Sequence, residues 1–444
     1  MRFMHTVLAG AFLLLTSITA QAIEIKTVES AGGVTAWHVE DHTLPIISMS
    51  FAFKGGSIQD PAGKEAASRL MTALLDEGAG DMEAAAFQDR AEDLAVNLSF
   101  SAGRDTYFGS VRMLRANAEE SFEMLQLALN APRFDEQPFN RIRDQLSEQV
   151  TAQVNNPSHR AGEAMRAMIY PEDHPYRTNT GGTAESVAAI TRDDLRALKD
   201  RVFARDNLVV SVVGAISEEE LKARLDQIFG ALPEKADLRD FEEIQPNLGG
   251  EDAIAVARPQ VALSVIGRGI DREDPDFIAA VIVNYILGGS GLTSRLSDEI
   301  REKRGLAYSV SSSLSNNDLT NLFTASVATR ADFAGETFEI LMREFDRMGR
   351  EGPTEEELEL AKSFLIGAYA LNFDGSRGTA STLLQMQLQG REPDYIQKRK
   401  GLIEAVTLDD ARRVAARLFK DAEFAIVRVG PVEATDPAGV NSGG

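Results

Sequence analysis

The sequence contains no cysteine. Disulfides therefore contribute nothing to its stability, and both thiolate-bound zinc and thiol catalysis are excluded. Histidine is scarce, at five in 444 residues, which leaves little material for a metal centre built on imidazole. No apolar run is long enough to cross a bilayer as a helix. Basic residues are outnumbered, 46 against 68 acidic, for a net charge of −22. That balance argues against nucleic acid and against anionic membranes as partners. What remains, 43% hydrophobic and 26% charged, is the composition of an ordinary globular protein.

The N-terminus reads as an address. Met1-Arg2, the apolar run Val7 to Leu15 and Ala20-Gln21-Ala22 give a basic start, a short apolar core and an A-x-A end, the pattern of a secretory signal peptide. Cleavage after Ala22 is expected, followed by export to the periplasm as a soluble protein. About 420 residues then remain, enough for two full domains.

Those residues contain an internal repeat. Ile190-Thr191-Arg192-Asp193-Asp194-Leu195-Arg196 matches Val406-Thr407-Leu408-Asp409-Asp410-Ala411-Arg412, and the register holds to Val213-Gly214 against Val429-Gly430. Upstream, Pro45, Ser50, Lys54, Gly55 and Pro61 meet Pro259, Ser264, Arg268, Gly269 and Pro275, and Phe122-Glu123-Met124-Leu125 meets Phe338-Glu339-Ile340-Leu341. Each half carries the same succession. It runs from an alternating strand (46–53; 261–266) to a helix (62–77; 276–287), a hairpin (96–113; 308–327), further helices and a closing strand (208–213; 424–429). This predicts an α+β fold of two homologous halves, each a largely antiparallel sheet packed with helices. The expected layout is a signal peptide at 1–22, halves at 23–232 and 253–433, a polar linker at 233–252, and a flexible tail at 434–444.

Few side chains stand out for chemistry. His38 and His42 are four apart but read as a strand and a turn, and His174 lies in Pro171-Glu172-Asp173-His174-Pro175-Tyr176, a loop by composition, where it reads as a structural histidine. No metal site is expected in this chain. In the second half, Gly288, Gly289 and Gly291 open a loop ahead of Arg295, and Arg301 lies seven residues before Tyr308. The loop lacks the G-K-[ST] ending of a phosphate loop. On chemistry alone, Arg301 reads as a helix-end cap and Tyr308 as a core residue, or the two form a donor pair for a peptide carbonyl.

The stretch Ser294-Arg295-Leu296 to Arg301-Glu302-Lys303-Arg304-Gly305-Leu306-Ala307-Tyr308 resembles the arginine–tyrosine segment of the insulinase/pitrilysin zinc peptidases. Asp173-His174-Pro175-Tyr176 and Gly181-Gly182-Thr183 also look like segments of that family. In the first half, Ala62 to Leu75 resembles the family's metal helix, but the places of H-x-x-E-H fall on Arg69, Thr72 and Ala73. The third metal ligand falls near Glu148-Gln149.

The resemblance implies a chain forming half of a clamshell chamber and holding no zinc itself. Like mitochondrial processing peptidase, which divides labour between two related chains, it would be the non-catalytic, substrate-binding subunit of a heterodimeric zinc metallopeptidase. Zinc is then expected in a homologous H-x-x-E-H partner. Arg301 and Tyr308 would contact the carbonyl of a peptide substrate, with Gly288, Gly289, Gly291 and Arg295 lining its path. The alternative is a stand-alone inactive homologue acting as a scaffold or peptide-binding protein.

Overall fold

The structure is a computed structural model describing residues 23–257, 259–289 and 293–431. The expected signal peptide, the expected tail and Gly291 lie outside these residues. Among the described residues thirteen strands occur in chain order: β1 Lys26–Glu29, β2 Thr35–Glu40, β3 Ile46–Lys54, β4 Gly78–Ala79, β5 Met82–Glu83, β6 Asn97–Ala102, β7 Thr106–Leu114, β8 Leu208–Gly214, β9 Glu251–Ala255, β10 Gln260–Arg268, β11 Ala307–Asn317, β12 Thr320–Arg330 and β13 Ala425–Gly430. Apart from the small β4–β5 ribbon they form two sheets, ordered β1-β2-β8-β3-β7-β6 and β11-β12-β10-β13-β9.

The duplication is visible in those orders. The second sheet, taken from β9 to β11, repeats the path β2-β8-β3-β7-β6 of the first. In both, the central strand pairs antiparallel with its neighbours, and one parallel pair closes the side, β2 with β8 and β9 with β13. Local signals repeat as well. Thr191 and Thr407 each accept a hydrogen bond from the N–H three residues on, and the aspartate there, Asp194 or Asp410, bonds back. This reciprocal box fixes the start of the helices Arg192–Val202 and Leu408–Phe419. Leu195, Leu198 and Val202 on one, and Ala411, Val414 and Leu418 on the other, fall at helical spacing and are buried.

Each sheet packs its helices over a separate apolar core. The halves are joined by exchange. The helix Pro157–Ile169 of the first half lays Ala161, Met165 and Ile169 among Val427 and Val429 of the second sheet. Its counterpart Ser376–Leu388 lays Ala380, Leu383 and Met386 on Trp37 and Val213 of the first. Gln387 Nε2 adds bonds to Val210 O (3.0 Å) and Ser211 Oγ (2.7 Å). Each large apolar side chain so buried contributes about 1.5–3 kcal/mol, which ties the halves into one body. The connecting segment is strapped down too: Arg239 Nη2 donates to Ile58 O (2.6 Å) and Asp60 O (2.8 Å).

One expected helix is cut short. The sequence suggested 62–77, but only Ala67–Thr72 is helical. Gly63 and Ala66 both sit at positive φ, 72° and 80°, which stops the helix from starting earlier. Asp60 instead caps it from outside, accepting from Ala66 N (2.9 Å) and Ser68 N (2.7 Å). Ser68 Oγ also lies 2.7 Å from the Tyr107 hydroxyl. Burial pushes the Asp60 carboxyl up to about 6, against the opposing pull of these hydrogen bonds.

Candidate functional site

The short helix Ala67–Thr72 carries the degenerate metal positions. Arg69 and Ala73 are exposed on one face, while Thr72 is buried and turns its hydroxyl back to Ser68 O (3.0 Å) and Arg69 O (3.1 Å). Across from them runs the helix Glu136–Gln153. Arg69 Nη2 donates to Gln149 Oε1 at 2.7 Å. The position facing the metal helix is therefore Gln149 and not Glu148. A guanidinium, a methyl group, a methyl-bearing hydroxyl and an amide do not suit zinc. The first repels a cation, and none replaces an imidazole or a carboxylate. The Arg69–Gln149 bond joins the two helices that metal ligands would otherwise join.

The remaining histidines do not make up the loss. His38 is fully buried on β2 and His42 is exposed beyond its end, so the two rings cannot converge. Burial holds the His38 imidazole below its ordinary pKa. His159 lies 3.2 Å from Glu163, and His174 packs on Tyr170 and Tyr176. Among the described residues no group of three or more histidine, aspartate or glutamate side chains could hold a metal ion.

In the second half the backbone is irregular around the predicted pair. Residues Ser297–Glu302 form a π-helical turn, closed by Gly305 N to Arg301 O and Leu306 N to Ile300 O, both 2.9 Å. Gly305 takes φ +62°, which favours glycine. The β11–β12 register then slips between Ala307 and Val310. This bulge swings Tyr308 out of the alternation, leaving it 87% exposed. The core reading of Tyr308 is thereby overturned. Arg301, partly exposed, holds its guanidinium carbon 5.5 Å from the centre of the Tyr308 ring. Such contact is worth about 0.5–1 kcal/mol at a surface; it sets the two side chains together while the phenol hydroxyl remains free to donate. π-turns and bulges recur where a side chain is re-aimed for function, and here one of each flanks the pair.

The other predicted contacts are placed differently. Arg295 is only 8% exposed. Its Nε and Nη2 clasp both oxygens of Glu357 (2.6 and 2.7 Å), and Nη2 also reaches Gly352 O (2.9 Å). Burial alone raises the Glu357 carboxyl, but the bonds from Arg295 and Thr354 more than reverse this and hold it below the usual range. Arg295 is thus a buried structural ion pair, correcting its assignment to the substrate path. Gly288 and Gly289 are packing glycines. A Cβ on Gly288 would meet Ser312 Oγ at 2.6 Å, and one on Gly289 would meet Tyr285 Cα at 2.5 Å. Gly288 lets the end of the helix Phe277–Gly288 approach β11, and Gly289 lets the chain pass close to that helix's own last turn. Sequence reasoning left Gln149 open against its neighbour. Helix periodicity could have chosen it, since it lies three residues after buried Leu146 and next to buried Val150.

Comparison with known proteins bears on the family of the chain. Residues 189–365, which include Arg295, Arg301 and Tyr308, match the model of the peptidase M16 inactive domain. A non-peptidase homolog of Helicobacter pylori, YmxG, is 22% identical over 96% of this chain and 98% of its own. An uncharacterized zinc protease of Mycobacterium leprae is 30% identical over 62% of this chain and 63% of its own length. The crystal structure of a peptidase M16 inactive domain from Pseudomonas fluorescens superposes with a TM-score of 0.87 at 28% identity, covering 94% of this chain and all of that one. With its duplicated α+β sheets and no H-x-x-E-H in its sequence, the chain fits the insulinase/pitrilysin (M16) peptidase family as an inactive homologue.

Proposed function

We propose that this chain is the non-catalytic, substrate-binding subunit of an exported two-chain zinc peptidase, acting in the periplasm. A related chain bearing H-x-x-E-H holds the zinc and carries out hydrolysis. The observation that carries this reading is the contrast between the halves. The metal half is occupied by an Arg69–Gln149 bond, whereas Arg301 and Tyr308 are set together at an exposed surface. A scaffold gains nothing from an exposed aromatic beside a guanidinium. A peptide carbonyl gaining negative charge is well served by both donors. The net charge of −22 leaves proteins and peptides as the natural partners.

Co-purification from the native host tests it. The tagged chain should bring down a related H-x-x-E-H chain, with zinc present in the complex in proportion to that chain. Recovery of the tagged chain alone, free of zinc and of any related subunit, would favour a stand-alone scaffold or peptide-binding protein.

A further inference from the structure

A cleft of about 680 Å³ lies where the two halves meet and is used by nothing above. It forms at the repeat's own symmetry point. The β6–β7 turn, Gly103 to Asp105, faces the equivalent β11–β12 turn at Asn316 to Asp318. Asp318 N donates a long bond to Asp105 Oδ2 (3.5 Å). Leu319 N donates to the Tyr176 hydroxyl (3.1 Å). Tyr308 and Asn317 stand near opposite ends of β11, so the cleft is about 30 Å from the Arg301–Tyr308 pair.

Its walls hold charges of both signs that make no ion pair within 4 Å among the described residues, with Lys54 and Arg272 facing Asp318 at longer range. Asp105 Oδ1 is buried and receives no hydrogen bond. No hydrogen bond to the Asp318 carboxylate is found among the described residues, and no carboxylate lies within 4 Å of Lys54 or Arg272. Arg272 is half-buried, and desolvation together with nearby Arg391 lowers its pKa. Desolvation likewise raises Asp105, against the pull of the Tyr176 hydroxyl and with the Asp318 charge adding to it, and raises Asp318 against the pull of Lys54 and Arg272. Unpaired charges in a partly dry cleft are costly, and clefts of this size between domains are where small ligands bind.

We propose that this cleft binds a short zwitterionic peptide, its ammonium between Asp105 and Asp318 and its carboxylate at Arg272 and Lys54. Five acidic residues against three basic ones line the cleft, which favours a ligand with an additional positive side chain. Each end of such a ligand meets charge that no ion pair within 4 Å satisfies among the described residues. The site does not depend on the proposed peptidase role and can be tested without a partner chain.

Isothermal titration of the mature chain with lysyl-alanine tests this. Saturable 1:1 binding is expected with Kd of about 1 mM or tighter. Lysyl-alanine amide, which lacks the carboxylate, and alanyl-alanine, which lacks the second cation, should bind more weakly, the amide by about tenfold or more. Arg272→Ala and Asp318→Asn should each weaken lysyl-alanine by a similar factor while leaving the thermal midpoint unchanged. Absence of saturable heat with lysyl-alanine, or equal binding of the amide, would overturn the assignment whatever the variants do.

Discussion

Arg69 and Gln149 are bonded at 2.7 Å between two helices, where the resemblance to the zinc peptidases puts a first metal ligand and, to within a residue, a third. Loss of the metal motif is therefore not a gap in this chain. The guanidinium neutralises no carboxylate and can coordinate nothing, yet it spans the same two helices.

Restoring the motif on one helix should accordingly fail. Arg69→His with Thr72→Glu and Ala73→His still faces an amide at position 149. We expect no peptidase activity from this triple variant alone and weak zinc retention on dialysis. Adding Gln149→Glu supplies the third donor and should tighten zinc by about tenfold or more. Equal zinc affinity for the triple and quadruple variants would place the third ligand elsewhere.

Arg301 and Tyr308 predict a different pattern. Both are at the surface, so Arg301→Ala and Tyr308→Phe should change folding stability by no more than about 0.5 kcal/mol. In the reconstituted pair each should lower turnover by about tenfold or more, the scale of losing a donor to a developing oxyanion. Denaturant titration and peptide-hydrolysis assays on the same samples separate the two effects. Unchanged turnover would reduce the pair to a surface contact.

Arg295 should behave in the opposite way. Arg295→Ala strands the Glu357 carboxylate, which Arg295 holds with two bonds, and should cost about 3 kcal/mol of stability. A variant as stable as the parent would contradict the structural role assigned here.

Asp60 makes a pH signature. Its folded pKa, about 6, lies above the ordinary aspartate value of 3.8. The native state therefore binds this proton more tightly than the unfolded chain. That contribution is fully present below about 3.8 and lost as pH rises through about 6. Between pH 4 and pH 7, parent minus Asp60→Asn stability should shift in favour of the parent at the acid end, by at most about 3 kcal/mol. Parallel stability curves would show that Asp60 is charged throughout.

Much of this architecture was legible because the chain repeats itself. Thr191 and Thr407 announce equivalent helix starts, and the matching strands at Ile46 and Gln260 become the centres of sheets that share one order over five strands. The arginine–tyrosine spacing likewise pointed to two residues that the structure brings together. What escaped was decided at long range. Whether Arg295 meets solvent depends on Glu357, 62 residues away. The helices Pro157–Ile169 and Ser376–Leu388 show in sequence only an amphipathic face, not that each faces the other half's sheet. The shortening of the metal helix turns on Ala66 at positive φ, a conformation no propensity assigns to alanine.

The most direct test of the central claim is peptide hydrolysis by reconstitution. The mature chain, a related H-x-x-E-H chain from the same host, and their mixture are assayed against a fluorogenic peptide library, with mass determined alongside. The account predicts negligible turnover from this chain alone, a 1:1 complex in the mixture, and activity that rises with the complex. Full activity from the zinc-bearing chain alone, unchanged on adding this one, would contradict it.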